Sequence, residues 1–476
     1  MKEVARSAYL AQKKPIAKAL LDALLEKYEY ASVLVTDVDT KSYSVRRSGV
    51  QISQDTRFGS KGMVVKVYDG NSYAEYSTNN ITMDAVPAIC EEISSRLMPM
   101  ADKLPEGLTL SRYKKLSDEP CTFRKATTYE QHPGELGDEA IVNQLGSLRE
   151  KTLAQSDKLV DALAGLIYQE YHKLFLSPNR DMEQSVLWTC ASLASVAAKG
   201  QEIKPSFKSF SVLGGTELLA QMEAAIPEIV KTNLELLDSQ PMIPGTYDCI
   251  CTPEVTGMIV HEAFGHGVEM DMFVKDRALA QSYVGKPVAS PLVTMHDGCA
   301  VRETATYFFD DEGTVSHDTV VIEKGILKAG ISDAQSAMHL GTEPTGNGRR
   351  ESYERKAYTR MTNTYFEPGM DSLEDMIASI DYGMLLEQPS SGMEDPKNWG
   401  IQCMVSFARE IRDGKLTGRI FSPIVLTGYV PDLLKSISMV SGTLELGGGG
   451  ACGKGHKEWV KVSDGGPYIK AKIRLG

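Results

Sequence analysis

Long apolar runs are missing from this 476-residue sequence. No stretch approaches the ~18 to 20 consecutive apolar residues needed to span a bilayer. The first 21 residues hold Lys2, Arg6, Lys13, Lys14 and Lys18 with no apolar run between them, so a signal-peptide core is absent. A surplus of positive charge is missing too. Its 63 acidic side chains outnumber 51 basic ones, giving a formal charge of −12, which argues against a protein that wraps phosphate backbones. Cysteine is sparse: Cys90, Cys121, Cys190, Cys249, Cys251, Cys299, Cys403 and Cys452 are scattered along a long chain, a poor basis for a disulfide framework. Together these absences predict a reduced, cytoplasmic protein with neither membrane nor nucleic-acid partners. Its thiols are then free to serve as metal ligands or core residues.

What is present suits a globular protein. Hydrophobic residues make up 42% and charged residues 24%, enough to bury large cores, and the length predicts two or three domains. Ile16, Leu20, Leu21, Leu24 and Leu25 recur at helical spacing, with Pro15 placed where a helix starts. Strand-like runs follow at 32–38, 42–46, 63–68 and 72–76, then a helical stretch at 84–97. This is a small α/β unit, residues 1–107. A central helix-strand region, 108–240, reads as a helix over 139–163, strands at 167–175, 186–196 and 207–212, and a long helix over 216–237. From 241 to 476 glycine becomes frequent and short hairpins recur, such as 320–323, Lys324-Gly325, 326–331. The fold class is therefore α+β, ending in a largely antiparallel β domain.

That last region carries the sharpest chemical signal, His261-Glu262-Ala263-Phe264-Gly265-His266, in a chain with only eight histidines. Two imidazoles bind Zn²⁺ readily, and a carboxylate between them can take a proton from water. The competing reading is two helical histidines in ordinary hydrogen bonds. Five-residue spacing separates the rings by about 140° on an ideal α-helix, against about 40° for the familiar four-residue spacing. Both face one metal only where the helix widens into a π-bulge or ends before His266. Gly265 and Gly267 flank His266 and tolerate that distortion. Zinc needs a third protein ligand and an open position. Cys452, His456, the Cys249/Cys251 pair, Glu269 and Asp271 are all candidates, and spacing does not choose among them.

Other motifs are weaker. Gly448 to Lys454 nearly matches a phosphate-binding loop, but Gly455 replaces the hydroxyl residue and a strand pattern follows, so nucleotide binding is rejected. Asp310, Asp311 and Glu312 read as a solvated turn more readily than as a second cation site. Arg349, Arg350, Arg355, Lys356 and Arg360 suit either a peptide carboxylate or a network with nearby acids. The run 360–364 reads as a strand offering its edge to an extended substrate.

These motifs, with Gly267-Val-Glu-Met-Asp271, Asp310-Asp-Glu-Gly-Thr314, Thr345-Gly-Asn-Gly-Arg-Arg-Glu-Ser-Tyr353, Arg360-Met-Thr-Asn-Thr-Tyr365 and Ala451-Cys-Gly-Lys454, resemble the TldD/PmbA family of zinc metallopeptidases, on the TldD side that carries the metal site. The resemblance is dense from about Pro244 onward and looser before it. It implies Zn²⁺ on His261, His266 and Cys452, with Glu262 as general base. It further implies a dimer enclosing a cavity that admits unfolded or short peptides. The partner is a second copy or a related subunit lacking the metal motif. Peptide maturation and degradation are the associated roles. Thr359 stands where proline is common, and 393–412 diverges, so substrate preference does not carry over. Arg360, Asn363, Tyr353 and His456 are the substrate-side candidates, His456 and Tyr353 for the oxyanion. The rival readings are a zinc hydrolase of a non-peptide amide and a non-catalytic regulatory subunit, the latter in keeping with the family's historical link to DNA gyrase.

Overall fold

The computed structural model describes residues 1–54, 60–97, 113–455 and 458–476. An eight-stranded sheet organises the first half. Its order is Glu202–Val212, Arg180–Lys199, Leu159–Leu176, Tyr30–Arg46, Gly62–Tyr68, Tyr73–Thr78, with Gly49–Ser53 and Cys121–Ala126 attached at its margins. Tyr30–Arg46 pairs with Leu159–Leu176 along almost its whole length. Hydrogen bonds therefore join the expected units 1–107 and 108–240 into one sheet, a correction to their separation; the boundary expected at 107 lies outside the described residues.

Alternation along Tyr30–Arg46 sends neighbouring side chains to opposite faces. Val33 and Val35 pack with Leu20 and Leu24 of the helix Ala8–Leu25, whereas Leu34 packs with Phe175, Phe309 and Tyr353 on the other face. The second face thus receives the C-terminal half. Toward the other end of the sheet, Ile141 and Leu145 of Asp138–Leu153 join Ile229 of Ile226–Leu236 over Leu166 and Leu193.

Several elements depart from their sequence patterns. Pro15 lies inside the first helix, which starts where Ser7 Oγ accepts the Leu10 amide. One continuous strand, Tyr30–Arg46, replaces the two expected at 32–38 and 42–46, because its long partner holds the intervening polar residues in the ladder. The helix expected over 139–163 ends at Leu153, and Leu159 onward is strand, since Ala162, Ala164 and Leu166 bury one face at a period of two. The long helix expected at 216–237 is broken in two at Ala225, just before Pro227.

In the second half, Gly245–Cys251, Tyr382–Asp395, Gly400–Arg412, Ile424–Tyr429 and Ile469–Leu475 pair in that order, and the last pairs back onto the first. The ring is closed, so these strands form a barrel, mostly antiparallel as expected. A six-stranded sheet lies alongside, ordered Ile326–Leu327, Thr319–Glu323, Met295–Asp297, Asn363–Phe366, Ser463–Gly466, Glu445–Gly447. The hairpin at Lys324-Gly325 is present, both residues having positive φ as its tight turn requires. All eight cysteines are free thiols. Among the described residues no helix is long and apolar enough to cross a membrane.

Candidate metal centre

The first barrel strand ends at Cys251 and leads into a helix, Pro253–Ile259, capped at its first position by proline. The helix then widens. Val260–Gly265 is a π-helical turn, in which the His266 amide donates to the carbonyl of His261, five residues back. A single 3-10 turn, His266–Val268, follows. This widening brings together two imidazoles that an α-helix would splay apart: their ring centres lie 5.0 Å apart at 88°. Gly265 has a steric duty here as well. A Cβ on it would overlap the Met361 sulfur and crowd the Val260 carbonyl.

The third donor arrives from nearly two hundred residues away. Cys452 sits on the strand Ala451–Lys454, which pairs with Glu458–Lys461. Its sulfur is 3.3 Å from His266 Nε2, and one donor atom each from His261, His266 and Cys452 lie within 4.8 Å of one another. Burial alone would raise the Cys452 thiol pKa. His266 beside it, then hydrogen bonding to both imidazoles, pull it down to about 4. His266 is correspondingly held well above its ordinary value, because Cys452 and Glu269 outweigh its burial.

Supporting groups surround the donors. Glu269 Oε2 lies 3.3 Å from His266 Nδ1 and accepts from Lys454 Nζ at 2.9 Å. Lys454 and His266 hold its carboxyl well below the usual range despite complete burial. Lys454 also donates to Asp271 at 2.6 Å. Arg360, 1% exposed, donates to the Cys452 carbonyl at 2.5 Å and the Glu458 carbonyl at 2.8 Å, pinning both strands of the cysteine hairpin. Asp464 Oδ2 lies 3.6 Å from His261 Nδ1, and burial lifts that carboxyl to about 6 against the pull of His261. Glu262 lies against Gly392, where a Cβ would overlap its side chain. Two residues on, Glu394 turns the same way along Tyr382–Asp395. It stands beside Gly267 with both oxygens buried and unpartnered, and burial raises it to about 9.

The structure thus gathers His261, Glu262, His266 and Cys452, and sorts the other candidates. Cys249 and Cys251 are core thiols, raised by burial, in the cluster that fills the barrel. Glu269 and Asp271 serve Lys454. The expectation that Arg360 grips a substrate is corrected: its guanidinium is committed to backbone carbonyls. Asn363 is likewise committed, donating to Gly298 O, Val301 O and Thr306 Oγ1. Tyr353 packs between the two halves beside Leu34 and Phe309. His456 lies outside the described residues. The strand Asn363–Phe366 has no free edge, because Met295–Asp297 and Ser463–Gly466 occupy both sides. Asp310 and Asp311 are buried, not solvated: Asp310 accepts the Glu312, Thr314 and Gly348 amides, and Asp311 pairs with Lys173. Sequence reasoning missed Asp464 and Glu394. Neither has a spacing signal, although Glu394 falls in the divergent segment.

Residues 244–474 match the PmbA/TldA metallopeptidase C-terminal domain. A metalloprotease of Methanothermobacter thermautotrophicus is 30% identical over 324 residues, 67% of this chain and 70% of its own. The chain belongs to the PmbA/TldD metallopeptidase family. Another relative of this family member, the zinc metalloprotease TldD homolog of Saccharolobus solfataricus, is 28% identical over 71% of this chain and 74% of its own. The solved structure of TldE from Thermococcus kodakarensis superposes with a TM-score of 0.72 at 19% identity, covering 97% of this chain and 100% of that one, and shows the same α+β fold.

Proposed function

We propose that this PmbA/TldD family member is a zinc-dependent peptidase acting on short or unfolded peptides. The observation that carries the reading is the convergence of two imidazoles and a thiol on one point beside Glu262. The donor chemistry fits zinc. One thiolate and two neutral imidazoles make a borderline-soft, three-ligand set of the kind that leaves a catalytic position open. The thiol is drawn toward its anionic form, and His261 Nδ1 is buried without a hydrogen-bond partner. His261, His266 and Cys452 would hold the zinc, and a zinc bound there would supply Lewis-acid polarisation of a carbonyl and a lowered pKa for water.

The chain's own groups do the rest. Glu262 takes the proton of the attacking water and returns it to the leaving amine. Glu269 fixes the His266 ring through Nδ1, so that Nε2 faces the donor cluster. Arg360 and Lys454 hold the cysteine hairpin in register with the π-turn.

Dimerisation, with a second copy or a metal-free relative, belongs to this reading, and the TldE-like fold supports a related partner. So does placement in the cytoplasm. Purified protein is expected to bind one zinc per chain and to cleave an unfolded peptide. Glu262→Gln should keep the zinc and lose cleavage, whereas Cys452→Ala should lose both. Cleavage surviving Glu262→Gln would discard the assigned base, and zinc retained in Cys452→Ala would move the third ligand elsewhere.

A further inference from the structure

Each motif histidine has a carboxylate beside it, but only one of the two pairs is closed. On His266, Nδ1 lies 3.3 Å from Glu269 Oε2, and Nε2 lies 3.3 Å from the Cys452 sulfur. One ring nitrogen thus serves a carboxylate and the other serves the donor cluster. On His261 the arrangement is half made. Nδ1 is buried without a hydrogen-bond partner, and Asp464 Oδ2 stands 3.6 Å away, just beyond hydrogen-bond reach.

The chain makes room for this second carboxylate. Gly257 precedes His261 by four positions, which puts both on the same side of the helix that leads into the π-turn. A Cβ on Gly257 would fall 2.7 Å from Asp464 Oδ1 and 2.7 Å from the Gly465 amide nitrogen. A bare Cα at this position is what lets the strand of Asp464 pack so close. That strand, Ser463–Gly466, is held on both sides, by Asn363–Phe366 and by Glu445–Gly447. No other group claims the carboxylate. Among the described residues His261 is the one ion-pair partner of Asp464, and its side chain makes no hydrogen bond. Glu262 and Cys452 nearby repel it, while Lys461 attracts it without pairing and lies over the Trp188 ring. A carboxylate lacking a donor therefore faces a buried ring nitrogen lacking an acceptor.

We propose that Asp464 is the positioning residue of His261, accepting a hydrogen bond from Nδ1–H and so turning Nε2 toward the metal. A carboxylate in that place fixes the orientation of a ligand ring and raises its basicity. Each imidazole then has its own support, Glu269 from just past the π-turn and Asp464 from the neighbouring sheet. The inference rests on the zinc reading of the donor cluster and is independent of peptide cleavage.

The test compares zinc affinity in the full chain, Asp464→Asn and Asp464→Ala, by competition with a chelator of known affinity. Asp464→Ala is expected to bind zinc about 10- to 100-fold more weakly, the usual loss when such a support is removed. Asp464→Asn keeps an acceptor of the same size and should recover most of that loss. The visible absorption bands of the cobalt-loaded chain should shift in Asp464→Ala and stay near wild type in Asp464→Asn. A merely structural residue would not move them. Wild type that binds zinc, with Asp464→Ala within a few-fold of it, overturns this proposal alone, as does an equal loss in both variants. Wild type that takes up no zinc discards the metal reading and this proposal together. Should the variants fail to fold, a crystal structure of the zinc-loaded chain decides. Asp464 is then expected within about 3.2 Å of His261 Nδ1, and a metal-bound Nδ1 or an unclosed gap overturns the proposal.

Discussion

At the scale of single residues, small side chains do as much as charged ones. Gly392 is the clearest case, because Glu262 occupies the space a Cβ would fill. Gly392→Ala is expected to displace the carboxylate and cut turnover by about 10² or more, the usual contribution of a positioned acid-base group. Zinc stoichiometry and melting temperature should stay near wild type, since Gly392 touches none of the three donors. Turnover within a few-fold of wild type would show that Glu262 has room to move. The histidine and glutamate positions were legible in the sequence because their spacing is itself chemical. Arg360 was misread for a physical reason. A guanidinium serves buried carbonyls as well as it serves a carboxylate, and only burial distinguishes the two uses.

At the scale of elements, two short segments have to meet: the π-turn and the cysteine hairpin. A spacing of five positions between the histidines, with glycines flanking the second, announced the widened turn. The hairpin's place was not announced, because its anchors are backbone carbonyls. Arg360→Met is expected to leave those of Cys452 and Glu458 without their buried donor. Metal affinity should fall about 10- to 100-fold, as for other supporting groups around ligands, measured by competition with a chromophoric chelator. An unchanged affinity would mean that strand pairing alone places Cys452. The long strands were hard to bound for a related reason. Tyr30–Arg46 includes Thr36, Asp37 and Thr40, whose polar side chains break the apolar pattern while the long partner Leu159–Leu176 keeps their backbone extended. Asp464 was invisible because it reaches His261 from a strand that enters the sheet beside Asn363–Phe366.

At the scale of the whole molecule, ion pairs join the N-terminal sheet to loops of the metallopeptidase half. Lys66 pairs with Glu312. Arg350 grips Glu75 through both nitrogens, at 2.5 and 3.0 Å. Burial would raise the Glu75 carboxyl, but Lys66 and Arg350 hold it down to about 2 from an ordinary 4.5. A depressed folded-state pKa contributes stability that is complete above the ordinary value. That stability is lost as the pH falls from about 4.5 toward 2. Chemical denaturation followed across that window should show wild type losing stability more steeply than Glu75→Gln, which lacks the titrating group. Parallel curves would place the acid sensitivity elsewhere. Glu75→Gln should also be less stable at neutral pH, because Lys66 and Arg350 lose a buried counter-charge.

The sequence separation of the donors has a consequence for folding. His266 and Cys452 are 186 positions apart, so one ion on both is a reversible cross-link that closes a loop through most of the second half. Such a link adds nothing to the unfolded chain and tightens only the folded one. Chelation should therefore lower the melting temperature of that half, with the N-terminal sheet less affected, as hydrogen exchange resolved by region would register. A cut in an exposed loop between the two donors should leave the fragments bound together while zinc is present, and let them separate when it is withdrawn.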